Sequence, residues 1–405
     1  YGKLVSVLTG LFGPDQLDLA EDVVQDSLLT ALKDWTYNGV PDNQTAWLYK
    51  VARNKAFNIL NRDKYKRKYA EEMKTLNQRE IDSTELEKEV YSNKQILDDQ
   101  LRMMFTCCNT LLTKNAQVVL TLKTLCGFSI SEIARAFFTS EDTINKKLVR
   151  SRQKIRDSKQ PFGIPEPDSL DSRLEAVLET IYLLFNEGYN ASSGDILIRK
   201  DLCEEAIRLA DIIILHPAIK NKSKVYALQA LMTLNASRFS ARLNTQGQIH
   251  TLAEQNRALW DKALIEKGFF CLGKSTTNKD ISVYHILATI SAYHCIAHDF
   301  ESTDWESILA LYDNLLKLDS STLVLLNRSV AIFHVFGPVE AINELLKIQE
   351  NPSLKSYHLF YSTLAEFYLK SGKSKEAAEC LEQAILYSPL KVEKEMLERK
   401  LISCR

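Results

Sequence analysis

Apolar residues recur at three- and four-residue intervals through most of the chain, the spacing that places them on one face of a helix. Between residues 17 and 35 they fall at Leu19, Val23, Val24, Leu28, Ala31 and Leu32, while Asp18, Glu21, Asp22, Gln25 and Asp26 take the other side. Asn38, Gly39 and Pro41 mark residues 37–43 as a loop. A second amphipathic stretch covers 44–61, with Trp47, Leu48, Val51, Ala52, Ile59 and Leu60 apolar and Arg53, Asn54, Lys55 and Asn58 polar. Residues 70–94 are polar and charged with few large apolar side chains, and read as a linker or a loosely held helix. Two apolar helices are expected over 98–112 and 113–126, the second capped by Thr113.

The pattern is sharpest at 129–156. Ser129 with Glu132 three residues on is a capping box, and Ile130, Ile133, Ala134 and Phe137 give the short helix that follows an apolar face. A tight turn at 138–140 leads to Ser140, which can cap a second helix with Glu141 and Asp142 in its first turn. That helix offers Ile144, Leu148, Val149 and Ile155 to the core, and carries Lys146, Lys147, Arg150, Arg152, Lys154 and Arg156. Two short helices with the second one basic match a helix-turn-helix whose recognition helix enters a major groove. An ordinary helical hairpin with a solvated basic face has the same pattern. Farther upstream, the 62–69 run interleaves bases with Tyr65 and Tyr69, as single-strand grooves do and as a solvated helix end also does.

Pro161, Gly163, Pro165 and Pro167 lie close together and mark a domain boundary. Everything beyond about residue 169 reads as helical. An apolar helix ends at Tyr182-Leu183-Leu184-Phe185-Asn186-Glu187-Gly188-Tyr189. Near the end, Tyr361, Leu364, Ala365, Tyr368, Ala377, Leu381, Ala384 and Pro389 match a tetratricopeptide template, with a weaker copy around Ala331, Ala341 and Pro352. Such helix pairs stack and expose a concave face for peptides or helices.

Composition narrows the picture. A chain of 405 residues with 13 glycines and 9 prolines favours helix over a turn-rich β fold and has room for two or three domains. The net charge of −1 conceals a basic front: residues 1–160 hold 25 Lys and Arg against 21 Asp and Glu, the remainder 26 against 31. Eight cysteines without a CxxC pair suggest reduced thiols, and Cys107-Cys108 suggest packing. No apolar run is long enough to span a membrane and no signal peptide opens the chain, which points to the cytoplasm. Tyr1 in place of Met suggests that natural residues precede it. His294 and His298 have metal-ligand spacing, with Asp299 and Glu301 following, yet no third ligand is fixed and no metal or cofactor is expected. No phosphate loop, dinucleotide fingerprint or nucleophile elbow is present, so the chain is not expected to be an enzyme.

The order of acidic helix, Asn-Gly-Val-Pro loop, Trp-Leu helix, linker and basic helix-turn-helix resembles a bacterial RNA polymerase sigma factor of the extracytoplasmic-function (ECF) type. The blocks that carry the resemblance are AEDVVQDSLLTAL at 20–32, VPDNQTAWLYKVARNKAFNIL at 40–60 and the 129–156 stretch. DDQLRMMFTCC at 98–108, YLLFNEGYNASSG at 182–194 and the repeat-like end resemble the subgroup with a long C-terminal helical extension. The resemblance implies that Glu21, Asp22, Gln25 and Asp26 dock on the clamp helices of the polymerase largest subunit. It implies that Asn38, Asp42, Asn43, Trp47, Arg53, Asn54, Lys55 and Asn58 hold the melted −10 strand. Thr143, Asn145, Lys146, Lys147, Arg150, Arg152 and Lys154 would read the −35 duplex. The partners would be core RNA polymerase, promoter DNA and a peptide or protein ligand of the repeats, in a cytoplasmic, nucleoid-associated setting with no membrane.

The expected architecture is all-α: residues 1–70 for the −10 element and polymerase, a 71–95 linker, 96–160 for the −35 element, a 161–168 linker, and 169–405 as a regulatory extension. The acidic balance of the extension is what a mask over residues 150–156 needs, and a structural brace for the front domains is the alternative role. The alternative is a helix-turn-helix repressor or scaffold with a tetratricopeptide module. An acidic docking helix beside a strand-reading loop favours the sigma factor.

Overall fold

In the computed structural model the chain is described over residues 1–71, 93–137, 139–190, 198–244, 248–276, 280–352 and 354–404, with side chains for all of these except 62–71, 93–94 and 135–136. Residues 72–92 of the expected linker, the side chains of the basic 62–69 run and Phe138 of the turn lie outside the described residues. What is described is helical, with one isolated bridge between Leu243 and Ile249, and the all-α expectation holds. The contacts group the chain into two compact units where the sequence suggested three.

The first unit spans Tyr1–Arg135 and Thr139–Ile181. It holds α1 (Gly2–Phe12), α2 (Leu17–Asn38), α3 (Gln44–Glu71), α4 (Asn93–Cys107), α5 (Lys114–Thr121), α6 (Ile130–Ala136), α7 (Glu141–Ser158) and the start of α8 (Pro167–Tyr189). Helix α1 buries Leu4, Val5, Val7 and Leu8 and packs on α2, α3 and α4, which joins the front helices to those that precede the helix-turn-helix. Its polar core groups bond along the helix: Ser6 Oγ donates to the Gly2 carbonyl and Thr9 Oγ1 to the Val5 carbonyl, each at 2.8 Å. Gly2 makes the close approach feasible, because a Cβ there would sit 1.9 Å from the Leu125 carbonyl oxygen. Thr113 caps α5 as expected. Helix α2 runs three residues past Trp35, so Tyr37 and Asn38 are helical and the loop shrinks to 39–43, opened by Gly39 at φ 80°.

Helix α8 crosses the unit boundary. Its first part closes the first unit: Arg173 Nη2 donates to the Phe105 carbonyl at 2.7 Å, Thr180 Oγ1 to Gln117 Oε1 at 3.2 Å, and Lys114 pairs with Glu179. The Pro-rich 161–168 segment is therefore followed by a helix whose first part still belongs to the first unit. Cys107 and Cys108 are free and buried, and loss of solvation raises the Cys108 thiol to about 11.

The second unit holds Ala136–Phe138 and Tyr182–Arg405. Beyond α8 it contains α9 (Lys200–Leu215), α10 (Ser223–Ala236), α11 (Lys262–Ser275), α12 (Val283–Ile296), α13 (Trp305–Leu315), α14 (Thr322–Phe336), α15 (Pro338–Ile348), α16 (His358–Lys370), α17 (Ser374–Tyr387) and α18 (Lys391–Cys404). From α9 onward consecutive helices pack on one another, and apolar α10 is buried between α9, α11 and α12. The template residues Ala365, Ala377, Leu381 and Ala384 are buried on the facing sides of α16 and α17, which form a helical hairpin. The weaker copy corresponds to the α14–α15 pair.

Candidate nucleic-acid interface

Helix α6 begins on the expected box: Glu132 Oε2 accepts from the Ser129 backbone N–H at 2.7 Å while Ser129 Oγ accepts from the Glu132 N–H at 3.2 Å. Helix α7 begins on Ser140, whose Oγ accepts from the Thr143 N–H at 3.2 Å, with Glu141 and Asp142 in its first turn. Ile144, Leu148, Ser151 and Ile155 form its buried stripe. Val149, expected in the core, is 64% exposed. A helix with a 3.6-residue period cannot bury 148, 149 and 155 together without a stripe wider than its neighbours cover.

The outward face of α7 carries Thr143, Asn145, Lys146, Val149, Arg150, Gln153 and Lys154. Lys146 pairs with Asp142 at 2.6 Å with both side chains mostly in water, so a phosphate can replace the carboxylate at little cost. Lys154 reaches the Leu111 carbonyl at 3.3 Å. Lys147 turns sideways to Asn115 Oδ1, and partial burial lowers its ammonium pKa. Val149 and Gln153 are the residues that sequence reasoning missed. They share a helical phase with Asn145 and Lys146, and an exposed valine there suits a thymine methyl.

Arg152 lies elsewhere. Its side chain is 14% exposed and is gripped by Glu21 at 2.7 Å and Asp18 at 3.0 Å on α2. Glu21, 4% exposed, also accepts from Thr124 Oγ1 at 3.1 Å. Arg156 bonds Asp18 at 3.3 Å and the Asp15 carbonyl at 3.2 Å. In this arrangement the Arg152 and Glu21 side chains are both largely withdrawn from solvent. Each satisfies the other.

The exposed face of α2 instead joins Asp22, Gln25 and Asp26 to Leu29 and Leu32, which are 56% and 68% exposed. Two leucines in water one turn beyond an acidic pair make a mixed apolar and acidic surface strip. Lys55, expected on the strand-holding face, pairs with Asp26 and donates to Thr30 Oγ1 at 2.7 Å, tying α3 to α2. Asn43 caps α3 by accepting from the Ala46 N–H at 2.9 Å, and Asn38 donates to Asp34 at 2.8 Å. Trp47 packs against Trp35 with ring centroids 5.5 Å apart. Asp42, Asn54 and Asn58 stay exposed, Arg53 sits over the Phe57 ring, Tyr37 of the expected loop is exposed, and Phe57 adds exposed aromatic surface that sequence reasoning left out.

His294 and His298 do not converge: His294 lies edge-on to Trp305, while His298 stands in solvent beside Asp299. No helix among the described residues is long and apolar enough to cross a membrane.

Residues 1–65 match the family model for sigma-70 region 2, residues 102–155 that for sigma-70 region 4, and residues 173–276 a family of unknown function, DUF6596. An uncharacterized protein of Rhizobium meliloti (strain 1021) is 34% identical over 372 residues, which is 91% of this chain and 86% of that protein. No solved structure matches. With region 2 on α1–α3, region 4 on α4–α7 and a helical extension behind them, the chain belongs to the sigma-70 family as an ECF-like sigma factor with a C-terminal extension.

Proposed function

We propose that α7 reads the −35 duplex through Asn145, Lys146, Val149, Arg150 and Gln153, and that α2 docks on the polymerase clamp helices through Asp22, Gln25, Leu29 and Leu32. The protein then acts as a non-catalytic initiation subunit of the ECF type, and the extension sets when it acts. The observation that carries this reading is the capped, outward face of α7, whose basic and apolar groups are free of the core. Run-off transcription with core polymerase tests it: promoter-specific transcripts that require this chain are expected, and a repressor would start none.

Residue roles separate by salt dependence. Lys146→Ala, if the lysine meets a phosphate, should weaken duplex binding on every sequence and flatten the log K against log salt slope by about one. Arg150→Ala, if the guanidinium pairs with a guanine, should remove about 1–3 kcal/mol of discrimination at one position. Equal binding by the double variant and the wild-type chain would remove α7 from the interface.

Core docking gives a second test. Asp22→Lys combined with Leu32→Asp should weaken core association at least about tenfold, since it reverses one charge and buries another in an apolar contact. Circular dichroism should be unchanged, because both positions are exposed. Full affinity in a pull-down would place docking on another face.

A further inference from the structure

Between α10 and α11 the described residues 237–244 and 248–261 form only short 3-10 turns and one bridge, in an otherwise helical unit. Long connections inside compact domains are uncommon and are usually either functional or linkers. This one brings three arginines to two aromatic rings. The Arg242 guanidinium lies 4.0 Å from the Tyr189 ring centroid, Arg257 lies 4.8 Å from that of Trp260, and Arg238 sits between, 5.9 Å from Tyr189 and 5.8 Å from Trp260.

Their hydrogen-bond partners are all neutral. Arg238 Nη2 donates to the Tyr189 hydroxyl and to Asn235 Oδ1, each at 2.6 Å. Arg242 Nη1 reaches the Tyr189 carbonyl, and Arg257 Nη1 those of His294 and Ala297. Asp299 and Glu301 near Arg257, and Glu393 near Arg242, are felt electrostatically, but among the described residues no carboxylate is at salt-bridge distance from any of the three.

The carbonyl bonds cap the ends of α8 and α12, which explains part of the cluster. They leave two buried donors without a partner: Arg257 Nη2 and the indole Nε1 of Trp260, a residue only 5% exposed. His294 Nδ1 is buried and unpartnered beside them. Burial, with the Arg238 and Arg257 charges, pushes that imidazole down to about 3, so it adds no charge and presents a neutral nitrogen. Buried donors left unpaired are uncommon and destabilising, and three guanidiniums without a counter-charge form a region of positive potential.

We propose that Arg238, Arg257 and Trp260 form a binding site for the phosphate or carboxylate group of a small anionic ligand. The indole N–H and the free guanidinium edge supply the hydrogen bonds, the arginines supply the charge, and Tyr189 orients Arg238. Recognition by paired guanidinium donors suits both kinds of oxyanion.

The test uses the full-length chain with inorganic phosphate and succinate as separate probes, each compared with chloride at matched ionic strength. Saturable binding by calorimetry, with quenching or a shift of tryptophan emission, is expected for at least one probe, and the stronger probe identifies the ligand class. Trp260→Phe keeps an aromatic ring beside the arginines but removes the N–H together with part of the indole, so it should weaken binding about tenfold, and its thermal midpoint without anion is measured alongside because the indole is buried. Arg238→Gln should weaken binding by at least that factor. If neither probe binds the wild-type chain, or if Trp260→Phe and Arg238→Gln bind both probes like wild type, the arginines are helix caps only and the proposal is overturned.

Discussion

Replacing Glu21 with alanine is expected to destabilise the first unit by about 3–5 kcal/mol, because it strands the largely buried Arg152 guanidinium between Asp18 and the protein interior. For a unit of this size each kcal/mol moves the midpoint by roughly 2–4 °C, so a fall of about 10 °C is anticipated. Arg152→Ala should do nearly as much harm from the other side. The double substitution Glu21→Leu with Arg152→Met should recover most of the loss, since apolar replacement of both members of a buried pair is often close to neutral. Thermal melts of the four proteins, with core pull-downs below the lowest midpoint, check this. A Glu21→Ala chain that melts like wild type but no longer binds core would return Glu21 to the docking surface.

The Glu21–Arg152 pair also shows where sequence reasoning reached its limit. The helices, their caps and the buried stripes were legible, because each follows from local periodicity and from side chains a few residues apart. The capping box at Ser129, the Ser140 cap, the α16–α17 hairpin and the all-helical class all rest on such signals. Charge was not legible in the same way. An acid on a polar helix face and an arginine on a basic one look like two external surfaces until the fold brings residues 21 and 152 together. The same holds for Lys55 and Asp26, assigned to two partners and found bonded to each other. Val149 differs for another reason: its apolar side chain predicts a core position, but its helical phase does not match that of Ile144, Leu148 and Ile155. Leu32 on α2, placed on the apolar face by its spacing and exposed in the structure, repeats that lesson. Apolar side chains on a recognition surface are indistinguishable by composition from those in the core.

Cutting the chain before Ser169 and cutting it after Leu183 are expected to give very different proteins, although both remove most of the C-terminal extension. The earlier cut deletes all of α8 beyond its first residues, and with it the bonds from Arg173 to the Phe105 carbonyl, from Thr180 to Gln117, and from Glu179 to Lys114. It also removes Leu174, Val177, Leu178 and Ile181, all buried, each worth roughly 1.5–3 kcal/mol when fully enclosed. Only part of that total is lost from the first unit, yet a few kcal/mol suffices to lower its midpoint by about 10 °C or more. The later cut keeps these contacts and should melt near the first unit of the intact chain. That makes the 1–183 protein the right reagent for asking what the extension does. If the extension masks residues 150–156, the 1–183 chain should bind promoter duplex more tightly than the full chain and transcribe constitutively with core polymerase. If the extension recruits polymerase or a co-activator, 1–183 should be folded, bind duplex as before and initiate poorly. The pair Arg152–Glu21 lies wholly inside 1–183, so it is retained in both cases and a change in duplex affinity on truncation is not due to its loss. Identical melting of the 1–168 and 1–183 proteins would show that α8 does not complete the DNA-binding half.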